Sequence, residues 1–149
     1  MTPAVRGDYV YFGTEGAAFF CVDWKQAKVV WTYEDKGRGQ PFRSSPAVGE
    51  THVVVGGRNK RVQAFDPLTG EEKWVFLTKQ RVDSSPVIVG KRVFVGSSDG
   101  RLYAIDLDQG TEVWKYETGG GLVGSPAVAD GRLVIASDDG HVYCFGAKQ

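Results

Sequence analysis

The chain repeats itself about every forty residues, and each copy is filled with short apolar runs separated by turn residues. Ser44-Ser45-Pro46-Ala47-Val48 returns as Ser84-Ser85-Pro86-Val87-Ile88 and as Gly124-Ser125-Pro126-Ala127-Val128, with Thr2-Pro3-Ala4-Val5 as a shortened copy at the start. The prolines stand at 3, 46, 86 and 126, so the spacings are 43, 40 and 40 residues. Self-similarity at that period means a row of small supersecondary units, each burying its apolar surface against the next.

The copy that begins at Pro86 is the plainest. Pro86 to Val89 reads as a strand, Gly90-Lys91 as a turn and Arg92 to Gly96 as a second strand. Ser97 to Gly100 is a hairpin turn whose Asp99-Gly100 suits positive φ. Arg101 to Asp106 is a third strand, Leu107 to Gly110 a turn and Thr111 to Tyr116 a fourth strand. The other copies fall into the same register. Gly13, Gly56, Gly96 and Ala136 follow their prolines by ten residues; Asp23, Asp66 and Asp106 come ten later, and Trp31, Trp74 and Trp114 eight beyond those. The three extra residues of the first copy therefore fall in the loop at 35–40, a connection that tolerates insertion.

The second strands read Tyr9-Val10-Tyr11-Phe12, Val53-Val54-Val55, Val93-Phe94-Val95 and Leu133-Val134-Ile135. None alternates polar with apolar, so each sheet expects cover on both faces. Small four-stranded antiparallel sheets covered on both sides by their neighbours are the blades of an all-β propeller. A long sandwich is the competing reading, and it would show less self-similarity. The chain is thus expected to be one propeller segment, 1–149, with about four blades: 3–43, 44–83, 84–123 and an incomplete 124–149 that stops after its third strand. An open row would leave neighbours of Tyr9, Tyr11, Leu133 or Ile135 facing water.

Ala64-Phe65-Asp66-Pro67-Leu68-Thr69-Gly70-Glu71-Glu72-Lys73-Trp74 resembles the tryptophan-docking motif of the quinoprotein, or PQQ-like, propeller repeats. Ala104-Ile105-Asp106 with Gly110 and Trp114 is similar, with Gln109 in place of threonine, and Cys21-Val22-Asp23 with Trp31 matches more loosely, with Ala27 where glycine is expected. The resemblance implies that Trp31, Trp74 and Trp114 pack between blades, braced by Asp23, Asp66 and Asp106 and by Thr69, Gly70 and Gly110. It also implies that the repeat belongs to eight-bladed rings, of which four blades are half. In character the chain resembles the non-enzymatic outer-membrane assembly lipoproteins of this class. Relatives are commonly exported, which points to a parent in the periplasm or cell envelope, although Met1-Thr2-Pro3 runs directly into a strand with no signal peptide.

Composition narrows the functions. Eighteen basic residues balance eighteen acidic ones, which gives no support to nucleic-acid binding, and no apolar run approaches the twenty residues of a membrane-spanning helix. Cys21 and Cys144 share a register position with Ala64 and Ala104, so both are expected as buried free thiols rather than a disulfide or a zinc site. The enzymes of the class use an adjacent cysteine pair beside the quinone, calcium ligands from Glu and Asn, and a catalytic Asp. This chain has no adjacent cysteines, so no catalytic residue, cofactor or metal is assigned. Asp99-Gly100 and Asp138-Asp139-Gly140 read as hairpin turns rather than calcium loops. His52 and His141 read as solvated, and Arg58 to Arg61 as a basic turn.

The segments before each proline differ most between copies and lead into the innermost strands, so they should rim one mouth of the central channel. Phe42, Arg43, Arg81 and Asp83 are accordingly the candidate partner-binding residues. The expected function is a non-enzymatic scaffold for protein–protein interaction or assembly. Its first partner would be itself, as a homodimer closing an eight-bladed ring, with another protein at the channel mouth. The alternatives are a monomer closed as four blades, and a fragment of a quinone-dependent dehydrogenase or of a ligand-sensing receptor propeller.

Overall fold

The computed structural model describes residues 1–37 and 39–146, and among them fifteen strands form four antiparallel sheets. Blade 1 is β1 (Ala4–Arg6), β2 (Tyr9–Gly13), β3 (Ala18–Asp23) and β4 (Lys28–Glu34). Blade 2 is β5 (Ala47–Val48), β6 (Val53–Gly57), β7 (Arg61–Phe65) and β8 (Glu72–Leu77). Blade 3 is β9 (Val87–Val89), β10 (Arg92–Gly96), β11 (Arg101–Asp106) and β12 (Glu112–Glu117). Blade 4 has β13 (Ala127–Ala129), β14 (Arg132–Ala136) and β15 (Val142–Gly146). Strands pair in chain order in every sheet. The chain is a four-blade propeller segment. Arg38 of the insertion loop and residues 147–149 of blade 4 lie outside the described residues.

The turns explain why the repeat tolerates sequence change. The hairpin between the second and third strands holds a left-handed residue in each blade: Ala17 (φ 64), Lys60 (φ 67), Gly100 (φ 83) and Gly140 (φ 85). Geometry there belongs to the fold, and only two blades use the residue type that adopts it freely. Between the third and fourth strands of blades 1–3 the pairing slips by one beside the tryptophan, after the pairs Cys21–Trp31, Ala64–Trp74 and Ala104–Trp114. A bulge of this kind re-aims the neighbouring side chain.

The cores lie between blades rather than within them. Tyr11, Phe19, Cys21 and Trp31 of blade 1 meet Val53, Val55 and Phe65 of blade 2. Val54, Val62, Ala64 and Trp74 of blade 2 meet Val93, Val95, Tyr103 and Ile105 of blade 3. Leu102 and Phe94 of blade 3 meet Leu133 and Ile135, with Tyr143 and Phe145, of blade 4. Each sheet therefore has a forward face, toward the next blade in sequence, and a rear face toward the preceding one. Of the four positions around which open faces were expected, Tyr11, Leu133 and Ile135 are buried inside the arc, and Tyr9 is half-buried against the first interblade core.

The glycine ten residues after each proline has a packing reason. A Cβ on Gly13, Gly56 or Gly96 would overlap the side chain of Phe42, Val82 or Leu122, each fully buried and each carried by the segment that leads into the next blade. These three apolar residues act as plugs. Near the hub the blades are also stitched by hydroxyls: the amide of Thr2 donates to Ser45 Oγ (2.7 Å), that of Ser45 to Ser85 Oγ (2.9 Å) and that of Ser85 to Ser125 Oγ (3.0 Å).

Candidate functional site

The aspartate turns are local structures, each closed by hydrogen bonds within three or four residues of its aspartate. Asp66 Oδ1 accepts the amides of Leu68 (2.9 Å) and Thr69 (3.0 Å), and its carbonyl accepts Gly70 N (3.0 Å). Burial works against the Asp66 carboxylate, but the Thr69 and Leu68 amides and the Lys73 ammonium outweigh it and hold its pKa below the usual range. Asp106 repeats the turn with Asp108 N (3.0 Å) and Gln109 N (2.9 Å), and Asp23 with Lys25 N (3.0 Å) and Gln26 N (2.9 Å). Thr69 Oγ1 accepts Glu71 N at 3.3 Å, which keeps its role within the turn.

The left-handed glycines of these turns (Gly70 φ +72, Gly110 φ +69) leave a bare backbone platform. Trp31 lies on Gly70 and donates Nε1–H to Pro67 O at 3.0 Å; Trp74 lies on Gly110 and donates to Leu107 O at 2.8 Å. A Cβ on either glycine would come within 2.5 Å of an indole carbon. Both tryptophans are 8% exposed, whereas Trp114 is 39% exposed. Trp114 packs edge-on against Phe145 at 5.3 Å, and the register position of its carbonyl acceptor, 147, lies outside the described residues.

The candidate partner-binding residues Phe42, Arg43, Arg81 and Asp83 divide differently from the expectation. Phe42 is buried in the first interblade core, so it is a plug and not a surface anchor; Gly13 makes the room that holds it there. Arg43 forms a two-pronged pair with Glu15 (2.9 and 3.0 Å), and Arg58 forms one with Asp83 (2.9 and 2.8 Å). These pairs occupy one register position with the charges exchanged. Arg81, on the solvent side of Asp83 at 3.1 Å, is the most open of the four candidates. The basic turn is partly accounted for as well, since Arg58 is committed to Asp83.

The largest departure from a closed molecule is at the two ends of the arc. On the forward face of blade 4, Val142 is 70% and Val134 39% exposed, whereas their counterparts Phe19, Val62 and Leu102, and Tyr11 and Val54, are buried. Cys144 is likewise exposed, while Cys21 at the same register is buried. On the rear face of blade 1, Val10, Phe12, Phe20 and Val22 are half-buried, with the Phe12 and Phe20 rings stacked at 5.4 Å; their counterparts Val53, Val55 and Phe65 are fully buried.

His52 departs from the solvated expectation. It is 4% exposed, with Nδ1 2.8 Å from Thr51 Oγ1, and burial together with Lys73 lowers its pKa. His141 is exposed, as expected of a turn residue. Tyr103, whose counterpart in blade 2 is the buried Gln63, is pushed up to about 12 by burial and by its hydrogen bond to Asp99. Among the described residues no group of three or more His, Cys, Asp or Glu side chains is placed to hold a metal ion, and no helix is long and apolar enough to cross a membrane. The two cysteines lie apart: Cys21 is sealed between blades 1 and 2, and Cys144 lies on the open face of blade 4.

Blades locked by tryptophans on aspartate-turn glycines define a PQQ-like, quinoprotein-type β-propeller. The family described as outer membrane protein assembly factor BamB matches residues 1–149, and the chain belongs to that family. The crystal structure of BamB from Moraxella catarrhalis superposes with a TM-score of 0.85 at 22% identity, over 94% of this chain and 46% of that one. The computationally designed Ika4 protein superposes with a TM-score of 0.85 at 15% identity, over 98% of this chain and 89% of that one. In sequence, the chain is 43% identical over 85 residues to a 1-butanol dehydrogenase (quinone) of Thauera butanivorans, covering 48% of this chain and 14% of the relative. The chain thus spans a small part of that enzyme and about half of the BamB chain.

Proposed function

We propose that this chain is a non-catalytic propeller scaffold for protein–protein interaction or assembly, and that two copies join head to tail into a ring of eight blades. The observation that carries this reading is the pair of uncovered apolar faces at the ends of the arc. The forward face of blade 4 and the rear face of blade 1 carry the residue positions that meet three times within the chain. A patch of that kind marks an interaction surface. The superposition on 46% of BamB favours the shallow blade-to-blade turn of a larger ring over closure as four, and the family's description as an assembly factor favours a scaffold over a catalyst. Light scattering at micromolar concentration should give twice the chain mass of 16.3 kDa; the mass of a single chain, with a cooperative melt, overturns the reading.

A second surface follows from the channel mouth. Arg81 and Arg43 stand outside the repeated framework with part of their hydrogen-bonding capacity facing solvent, and they are the residues that would meet another protein. Crosslinks confined to β4, β8 and β12 would contradict that placement. The identity to a quinone-dependent dehydrogenase supports the other reading, a fragment of such an enzyme or of a ligand-sensing propeller. Melting with and without pyrroloquinoline quinone and calcium separates the two, because a ligand of the native state raises stability with concentration. Coincident melts are expected of a scaffold.

A further inference from the structure

We infer that the joint between blade 4 of one copy and blade 1 of the other is a seam without locks, built to open and close while both copies stay folded. This rests on the head-to-tail reading above and says what kind of interface it would be. Two devices secure the interfaces inside the chain. One is a tryptophan of the preceding blade seated on a left-handed glycine, Trp31 on Gly70 and Trp74 on Gly110. The other is an apolar plug from the segment entering the next blade, Phe42, Val82 or Leu122, seated over Gly13, Gly56 or Gly96.

At the seam both seats are filled by alanine. Ala27 occupies the seat of Gly70 and Gly110 in blade 1 and has the same left-handed conformation, φ 51. Its Cβ therefore stands where one on Gly70 would come within 2.5 Å of the indole. Ala136 occupies the seat of Gly13, Gly56 and Gly96 in blade 4, and its methyl stands where a plug would sit. Each end of the arc thus refuses the lock that an internal neighbour would bring. The two refusals are independent, one on each side of the same joint.

What remains is a register and an apolar contact. The hydroxyl series Thr2, Ser45, Ser85, Ser125 would continue from the amide of Ser125 to Thr2 of the second copy, which aligns the two blades. Val134, Val142 and Cys144 would then stack on Val10, Phe12 and Val22 of that copy. Sheet stacking without docked indole or plug makes this the weakest interface of the ring, so the copies part before any blade loosens.

The test is dilution of the intact chain from micromolar to nanomolar concentration, with three readouts: mass, iodoacetamide labelling of each cysteine, and tryptophan emission. The mass should fall by half, Cys144 should become alkylated in step with it, and Cys21 and the emission maximum should not change. Val142→Arg, at a position open in the single chain, should give a monomer with unaltered emission. Halving of the mass together with Cys21 labelling and a red-shifted emission would overturn the seam while leaving self-association standing, and so would a Val142→Arg protein that remains a dimer. A single-chain mass at every concentration overturns both.

Discussion

Trp74 and Trp114 hold the same place in consecutive blades, opposite Ala64 and Ala104 and beside the same bulge, yet one is 8% and the other 39% exposed. Nothing in their own strands separates them. The difference is the Leu107–Gly110 turn, which caps Trp74 with a carbonyl and a bare glycine, while the ring partners of Trp114 among the described residues are Phe145 and Tyr116. A blade in this molecule is finished by its neighbour.

The sharpest way to break that comparison is truncation. Trp74→Ala should cost about 3–5 kcal/mol, as for a buried aromatic whose site cannot collapse, and Trp114→Ala less than half of that. Trp24, which is 53% exposed and whose indole donates to Gly7 O, should change stability by no more than about 0.5 kcal/mol on the same substitution. Denaturant midpoints of the three variants check the order, and equal losses at Trp74 and Trp24 would undo the register. Next in size is the platform. Gly110→Ala should cost roughly 2–4 kcal/mol, from left-handed strain plus overlap with Trp74. Its mirror experiment, Ala27→Gly, relieves the same strain where no indole is seated, and should stabilise by roughly 0.5–1 kcal/mol after the added chain entropy.

The smallest expected effect is a pH dependence at the second interface. His52 is buried and has a lowered pKa, so the folded state takes up its proton less readily than the unfolded chain, whose histidine titrates near 6.5. Its contribution is full above that value and is lost as pH falls from there toward the lowered folded value. Lys73 adds to the depression and Asp108 opposes it. Replacing His52 by tyrosine, the residue at this register in blade 1 (Tyr9), should shrink the difference in melting temperature between pH 7.5 and 5.5, read by calorimetry at both values. An unchanged difference would remove His52 from the account.

Much of this is legible in the sequence, because period and turn chemistry are local. The four antiparallel sheets and the Asp99-Gly100 turn follow from where proline, glycine and aspartate recur, whereas Ala17, Ala27 and Lys60 take the left-handed conformation with no sign of it in their residue type. The plugs are not legible in that way. Variation among Phe42, Val82 and Leu122 looked like a surface changing its specificity, but all three are apolar and each stands opposite a glycine that has no other reason to recur. That pairing was the signal, and it crosses from one blade to the next. Cys144 escaped for a related reason: its register predicts burial, and burial depends on a face that the single chain leaves open. His52 differs again: its residue type gives no sign of burial, and the following blade reaches it with the charges of Lys91 and Asp108.

The exchanged ion pairs of blades 1 and 2 bear on how such a chain avoids confusing its own parts. Units this alike can assemble out of order during folding, a hazard shared by repeat proteins. With Glu15 facing Arg43 and Arg58 facing Asp83, a blade 1 that skipped ahead to the entry segment of blade 3 would set Glu15 against Asp83, and blade 2 turned back would set Arg58 against Arg43. Like charges at a two-pronged site reject both errors. The polarity of each clamp is an address, written in two residues, that tells near-identical blades which neighbour is theirs.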